Sequence, residues 1–390
     1  MQDFGGKYHG ACAKSSDDRA LPQGGAGALS DPARTQPLDR DRITKLVSTI
    51  FSEDLHAKRV ASLAGGAVGV LEGAALGIHA IGNALAMAEG LKGKHAVKQV
   101  DRLLSNAGIH VWDLFSNWVP YIVGDRSEVV TALDWTDFDA DDQSTIALSM
   151  ITSHGRATPL LWKTVMKSEL KGWRNEHEDV LLERFRQVLP AGVKVTVLAD
   201  RGFGDQALYE LLEDQLGLDF VVRFRGIIQV TKAGRELGAV VCVKAKGMKD
   251  AWHLATSHGD RTGAEIVELY GKRFTIEETF RDQKNLRFGM GFSDTRIADP
   301  DRRDRMLLIS AIAISLLTLL GAAGEAIGHD KWLKANTVKK RTVSLLRQGL
   351  MHYGALPNMK PDMIEPLMAK FGEMLREQRT FRDIFGLIMR

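Results

Sequence analysis

The chain has 390 residues, of which 44% are hydrophobic and 26% charged, so a wholly disordered, collagen-like or coiled-coil protein is excluded and two or three domains are expected. Its 52 basic and 49 acidic side chains give a formal charge of +3, which identifies no partner by itself. Cys12 and Cys242 fit neither a disulfide framework nor a zinc-ligand spacing. The N-terminus has no secretory pattern, so we expect the cytosol.

The chain begins with a polar, glycine-rich stretch and then becomes helical. Residues 1–40 hold six Gly and three Pro with few large apolar side chains, which predicts a disordered tail. Helical periodicity follows over 41–125, with an Ala/Gly-rich stretch at 61–90. The next helix carries a basic face, which indicates either a compact DNA-binding domain or a merely solvated surface. That face consists of Lys92, Lys94, His95, Lys98 and Arg102.

Strand patterns begin after this helical region and predict a mixed α+β (or α/β) core over 126–330. The predicted order is three adjacent strands, a helix, a strand and a helix, followed by short strands and a long helix at about 264–285. This order is that of an RNase H-like core with a β insertion at 217–249. The predicted strands are 129–133, 145–152, 160–165, 193–199, 220–224, 227–230, 239–243 and 252–256, and the predicted helices are 176–188 and 206–216.

Two features follow the core. Residues 306–324 contain no charge, but Ser, Thr and Gly interrupt the run, so a buried core helix is favoured over a membrane span. Residues 331–347 then contain six basic and no acidic side chains, a phosphate-binding pattern. We therefore expect 331–390 to be a helical, basic region that serves DNA binding or dimerisation.

Two aspartates close predicted strands of the core. Asp134 follows one apolar strand and Asp200 follows another, so both can emerge at one edge of the sheet. Such carboxylates suit Mg²⁺ in phosphoryl transfer, although a strand-end Asp is more often a turn or helix cap. The acidic run after Asp134 is not a calcium loop, because position 142 is Asp where Gly is required and position 148 is Leu where Glu is required.

The long helix carries a polar stripe. Tyr270, Arg273, Glu277 and Lys284 are spaced so that they fall within an arc of about 60° on a helical wheel, whereas Glu278 lies about 100° from Glu277. One carboxylate beside a phenol and two cations is the set that a metal-bound phosphodiester requires, though an exposed charged face gives the same spacing.

The spacing Tyr270-x2-Arg273-x3-Glu277-x6-Lys284 resembles the signature of bacterial insertion-sequence DDE transposases of the family typified by insertion sequence four. The resemblance covers about residues 44–348. It includes Leu133–Asp137 and Leu198–Phe203 as two acidic motifs, with 56–59 and 101–106 as N-terminal segments.

The resemblance implies a DNA transposase that binds terminal inverted repeats, cuts the element ends and joins them to target DNA. Asp134, Asp200 and Glu277 would be catalytic and hold two Mg²⁺ ions, for which Mn²⁺ can substitute. Tyr270, Arg273 and Lys284 would contact phosphates, and Trp252 would stack on a flipped base during hairpin formation, unless it is a core aromatic. The implied state is a homodimer on double-stranded DNA in the bacterial cytoplasm, associated with the nucleoid and with no membrane.

One departure leaves alternatives open. The insertion is short for the family, so the chain could be an impaired copy that only binds terminal repeats. Another RNase H-like nuclease, such as a resolvase, is the second alternative, and a membrane protein the third.

Overall fold

The computed structural model describes residues 38–152, 156–224, 236–287 and 289–376, so the predicted N-terminal tail lies almost wholly outside the described residues. The helices are α1 Arg40–Phe51, α2 Ala57–Gly73, α3 Ile78–Glu89, α4 Gly93–Leu104, α5 Val111–Val123, α6 Arg174–Val188, α7 Gln206–Glu210, α8 Gly263–Gly271, α9 Phe274–Lys284, α10 Pro300–Ala326, α11 Leu345–Ala355 and α12 Pro361–Arg376. The strands are β1 Glu128–Phe138, β2 Gln143–Ile151, β3 Ala157–Met166, β4 Lys194–Ala199, β5 Asp219–Arg223, β6 Ala239–Val243 and β7 Trp252–Thr256.

Small residues let the N-terminal helices approach closely. A Cβ on Gly82 of α3 would lie 2.5 Å from the Cα of Val97 in α4, so only glycine permits this crossing. The two helices are joined by three residues that begin with Gly90, whose φ of 65° is the left-handed conformation that ends α3. The two packed helices are therefore joined by a short turn.

The described strands form one seven-stranded sheet in the order β3-β2-β1-β4-β5-β7-β6. The first three strands are an antiparallel meander, β4 and β5 are parallel to β1, and β7 and β6 continue antiparallel. A mixed sheet of this order, covered by helices, is α+β and is consistent with an RNase H-like DDE domain.

The structure corrects three details of the predicted core. Strand β1 continues to Phe138 because its second half pairs with β2, so Asp134 lies inside the strand rather than at its end. Strand β5 pairs in parallel with β4 and therefore belongs to the core sheet, not to an insertion. The predicted long helix is two helices, because Lys272 and Arg273 make tighter hydrogen bonds to residues three positions earlier. The predicted strand 227–230 lies outside the described residues.

The apolar run 306–324 lies within helix α10, which is long and apolar enough to cross a membrane. Within the fold, 83% of its apolar window is buried, as expected of a core helix. Its packing against α11 depends on two glycines, since a Cβ on Gly321 would lie 2.0 Å from the Leu345 oxygen and one on Gly349 would lie 1.8 Å from the Leu317 oxygen. Helix α10 also contacts α2, α4, α5, β3 and α12.

Candidate active site

The register of two parallel strands brings the two predicted aspartates together. The last pair between β1 and β4 is Leu133 with Ala199, so Asp134 and Asp200 are the next residues on neighbouring strands. Neighbouring strands lie about 4.8 Å apart. Asp200 then turns the chain, because its Oδ1 accepts a hydrogen bond of 2.7 Å from the backbone N–H of Gly202.

Asp134 lies in a mostly buried position, where its charged form is costly. The pKa of Asp134 is raised to about 6, chiefly by burial. The adjacent Arg273 guanidinium lowers this pKa, whereas the nearby carboxylates of Asp200 and Glu277 raise it. Its Oδ1 accepts a hydrogen bond of 2.9 Å from the Trp135 N–H. The three carboxylates are thus close enough to repel one another, and a cation among them would relieve that repulsion.

Arg273 connects two of these carboxylates. Its Nη1 donates to Oδ2 of Asp134 at 3.2 Å and its Nη2 donates to Oε1 of Glu277. Only 5% of Arg273 is exposed, and its Nε has no hydrogen-bond partner among the described residues. The side chain that the resemblance assigns to a phosphate therefore neutralises the carboxylates directly.

The neighbouring carboxylate on α9 has different partners. Glu278 forms ion pairs with Arg281 and with Arg156, the latter at 3.6 Å. Glu277 is one of the neighbours that raise the pKa of Asp134. The structure thus places Glu277, and not Glu278, on the side of the two aspartates.

An aromatic cluster borders this site. The rings of Trp252 and Tyr270 meet edge to face at 5.0 Å, and Phe274 lies 5.9 Å from Trp252. Tyr270 is only 1% exposed, and burial raises its pKa, whereas 39% of Phe274 is exposed. Trp252 itself is partly buried, which is compatible with both the stacking and the core interpretation. Sequence reasoning missed Phe274, whose only local signal is its place beside Arg273.

Lys284 lies at the far end of α9, against the second half of β1. Its Nζ donates to Thr136 Oγ1 at 3.1 Å and to the Asp137 oxygen at 2.5 Å, and it lies 4.9 Å from the centre of the Phe138 ring. Burial lowers the pKa of Lys284. An ammonium group has three donors, so one remains for a phosphate oxygen.

A second arrangement that the sequence did not predict holds the residue next to Asp134. Trp135 Nε1 donates to Glu178 Oε1 at 2.7 Å, and the Arg174 guanidinium lies 5.0 Å from the Trp135 ring. Glu178 is buried, which raises its pKa to about 7. Because Trp135 also donates its N–H to Asp134, these contacts fix the backbone at that carboxylate.

The donor set fits a hard divalent cation, although no preformed metal cluster exists within 38–152, 156–224, 236–287 and 289–376. Asp134, Asp200 and Glu277 offer only carboxylate oxygens, the ligands that Mg²⁺ prefers. Their mutual repulsion supports the same assignment. Binding there would require the Arg273 guanidinium to release part of its hold on Asp134 and Glu277.

The predicted DNA-binding residues lie on a separate surface. Lys92, Lys94, Lys98 and Arg102 are all exposed, and no ion pair or side-chain hydrogen bond joins them to any other described residue. The buried side of α4 consists of Ala96, Val100, Leu103 and Leu104. The basic face is therefore directed away from the core and is open to a partner.

Comparison with known families supports the class that this geometry indicates. Residues 125–316, which run from just before β1 into α10, match the family model of the transposase DDE domain. No curated protein matches the chain. The match supports a DDE transposase family, whose members generally use divalent metals and act on DNA.

Proposed function

We propose that this protein binds the terminal inverted repeats of a DNA element as a homodimer, cleaves the element ends and joins them to target DNA. The observation that carries the proposal is the register of β1 and β4, which sets Asp134 beside Asp200, together with Glu277 facing them from α9. The proposed route is cut-and-paste with hairpin intermediates.

Phosphodiester transfer of this kind needs positioning and charge stabilisation rather than a covalent protein nucleophile. Asp134, Asp200 and Glu277 would hold two Mg²⁺ ions, which activate the attacking oxygen and stabilise the leaving oxygen. Lys284 and Arg273 would donate hydrogen bonds to phosphate oxygens near the cleaved bond, with Tyr270 beside them. The Nε–H of Arg273, which has no partner among the described residues, is a donor that the two carboxylates leave available.

The test is magnesium-dependent nicking of a duplex that carries the terminal repeat, followed by transfer of its 3′ end to a second DNA. Nicking and joining together support a transposase. Nicking without joining would favour another RNase H-like nuclease, and binding without nicking would favour an impaired copy. Failure to bind or cut repeat DNA would contradict the proposal.

The basic face of α4 is proposed to recognise the ends, because it is exposed and has no ion pair with any other described residue. Replacing Lys92, Lys94, Lys98 and Arg102 with Gln should weaken binding. The log-log slope of affinity against salt should flatten by about 0.9 for each lost phosphate contact. Filter binding at several salt concentrations measures this slope. An unchanged slope would indicate that the basic face of α4 is only a solvated surface.

Trp252 is proposed to stack on a base that leaves the duplex when the hairpin forms. An aromatic platform contributes about 1 to 3 kcal/mol per base, so Trp252→Ala should slow hairpin formation by roughly 5- to 150-fold. The first nick needs no flipped base and should be spared. Quenched time courses on repeat DNA separate the two steps.

Trp252→Phe is the matched control and should recover part of the hairpin rate. A purely structural Trp252, packed on Tyr270, predicts a different outcome. In that case Trp252→Ala would slow nicking and hairpin formation equally and lower the melting temperature.

A further inference from the structure

A basic segment follows helix α10 and precedes α11. It starts in a short 3-10 turn, His329–Leu333, and then runs without regular structure to Ser344. We name residues 331–347 the basic strap. The strap contains six Lys or Arg, and the sequence has no acidic residue from 331 to 361.

Carboxylates outside the strap fix its backbone. Arg341 donates to both oxygens of Glu325, at 2.6 and 2.7 Å, and Lys334 pairs with Asp330 at 2.6 Å. Gln348 also donates to Glu325, at 3.1 Å. The strap is therefore held against the end of α10 by charge-assisted bonds.

These bonds leave a row of cations unmatched. Glu325 and Asp330 already have partners, and Lys331, Lys339, Lys340 and Arg347 have no carboxylate partner in the part of the chain that the structure describes. Unmatched like charges held on one fixed segment repel one another, and a polyanion would relieve that repulsion.

An exposed aromatic ring lies within the same strap. Trp332 is 55% exposed, and its ring is held by His329, whose centroid lies 4.0 Å away. A fixed indole between Lys331 and Lys334 offers an apolar surface to a sugar or base, while the cations face phosphates. The cations of the basic strap and the Trp332 ring are together suited to binding the backbone of a nucleic acid.

Helix α10 separates the strap from the turn that follows β1. Near its start, Arg303 pairs at 2.6 Å with Asp141, in the turn that follows β1, seven residues after Asp134. From Arg303 to Ala326 the helix rises about 35 Å. That length equals about one turn of B-DNA, 10 base pairs, after which a duplex presents the same face again.

We infer that the basic strap binds the phosphate backbone of the same DNA duplex, at a distance from the cut bond on the order of the length of α10. This inference rests on the proposed function and adds a second contact to it. Duplexes that extend at least 10 base pairs from the cut should reach the strap, and shorter ones should not.

The experiment compares the affinity of the full chain for repeat duplexes that extend about 6 and about 16 base pairs from the cut on the strap side. The natural chain should bind the longer duplex more tightly. The variant Lys331→Gln/Lys339→Gln/Lys340→Gln should lose that gain, and its salt slope on the longer duplex should fall by about 2.7. Lys45→Gln/Lys194→Gln/Lys246→Gln, three exposed lysines on other elements, is the charge-matched control and should keep both.

The inference would be overturned if the strap variant still bound the longer duplex more tightly and kept the natural salt slope, with an unchanged melting temperature. So would preferential binding of the strap to vesicles of phosphatidylserine, measured with the same two triple variants. If the natural chain neither binds nor cuts repeat DNA, the proposed function itself is contradicted. If it cuts normally but binds the longer duplex no more tightly, only the strap inference is contradicted.

Discussion

Asp134→Asn, Asp200→Asn and Glu277→Gln should each reduce cleavage of repeat DNA by about 1,000-fold or more. Each change keeps the shape of the side chain and removes one anionic ligand from the set that would hold Mg²⁺, whose charge stabilisation contributes several kcal/mol. Binding to the repeats should persist, because it rests on many distributed phosphate contacts. Cleavage assays at saturating DNA, with a parallel binding titration, measure both quantities.

Glu278→Gln is the matched control for Glu277→Gln. The two residues are adjacent on α9, but Glu278 pairs with Arg281 and Arg156, so its loss should change cleavage only slightly. If Glu278 proved essential and Glu277 dispensable, the assignment of the third carboxylate would be wrong. Loss of binding in the aspartate variants would indicate damage to the fold instead.

Arg273→Gln should move the acidic limb of the pH–rate profile to higher pH. The pKa of Asp134 is about 6 because burial raises it while Arg273 lowers it. Removing the guanidinium should raise that pKa by roughly 1 to 3 units. Less of the carboxylate is then ionised at neutral pH, so the rate at pH 7 should fall by about 2- to 100-fold and recover as the pH rises.

Arg281→Gln provides the comparison, since Arg281 lies on α9, which begins one residue after Arg273, but pairs with Glu278. It should leave the acidic limb in place. A role for Arg273 in phosphate binding alone predicts a different result, in which the rate falls by the same factor at every pH. Rates measured from pH 5.5 to pH 9 at one fixed, subsaturating Mg²⁺ concentration reach about three units above the natural limb and distinguish the two.

Much of the candidate site could be predicted because its signals are local. The apolar runs before Asp134 and Asp200 predict strands, and helical periodicity separates Glu277 from Glu278 without any knowledge of the fold. The predicted β6, at 239–243, and β7, at 252–256, also match the structure. These features depend on neighbours within one or two turns, which a single sequence contains.

The remaining features depend on partners distant in sequence. Arg273 meets Asp134 across 139 positions, and Trp135 meets Glu178 across 43, so no periodicity indicates either contact. The extension of β1 past Asp134 follows from pairing with β2, which local propensity does not determine. The roles of the site residues remain predictions for the experiments above.

Helix α10 also constrains how the chain can be synthesised. A nascent segment that is as apolar as a membrane span is prone to aggregate while it emerges from the ribosome, because its apolar surface is not yet packed against other elements. Four of its partners, α2, α4, α5 and β3, precede it in the chain, whereas α11, α12 and the turn His329–Leu333 follow. Part of its cover is thus already translated when it emerges, so a gene fragment that begins at β1 would deprive this helix of its earliest partners.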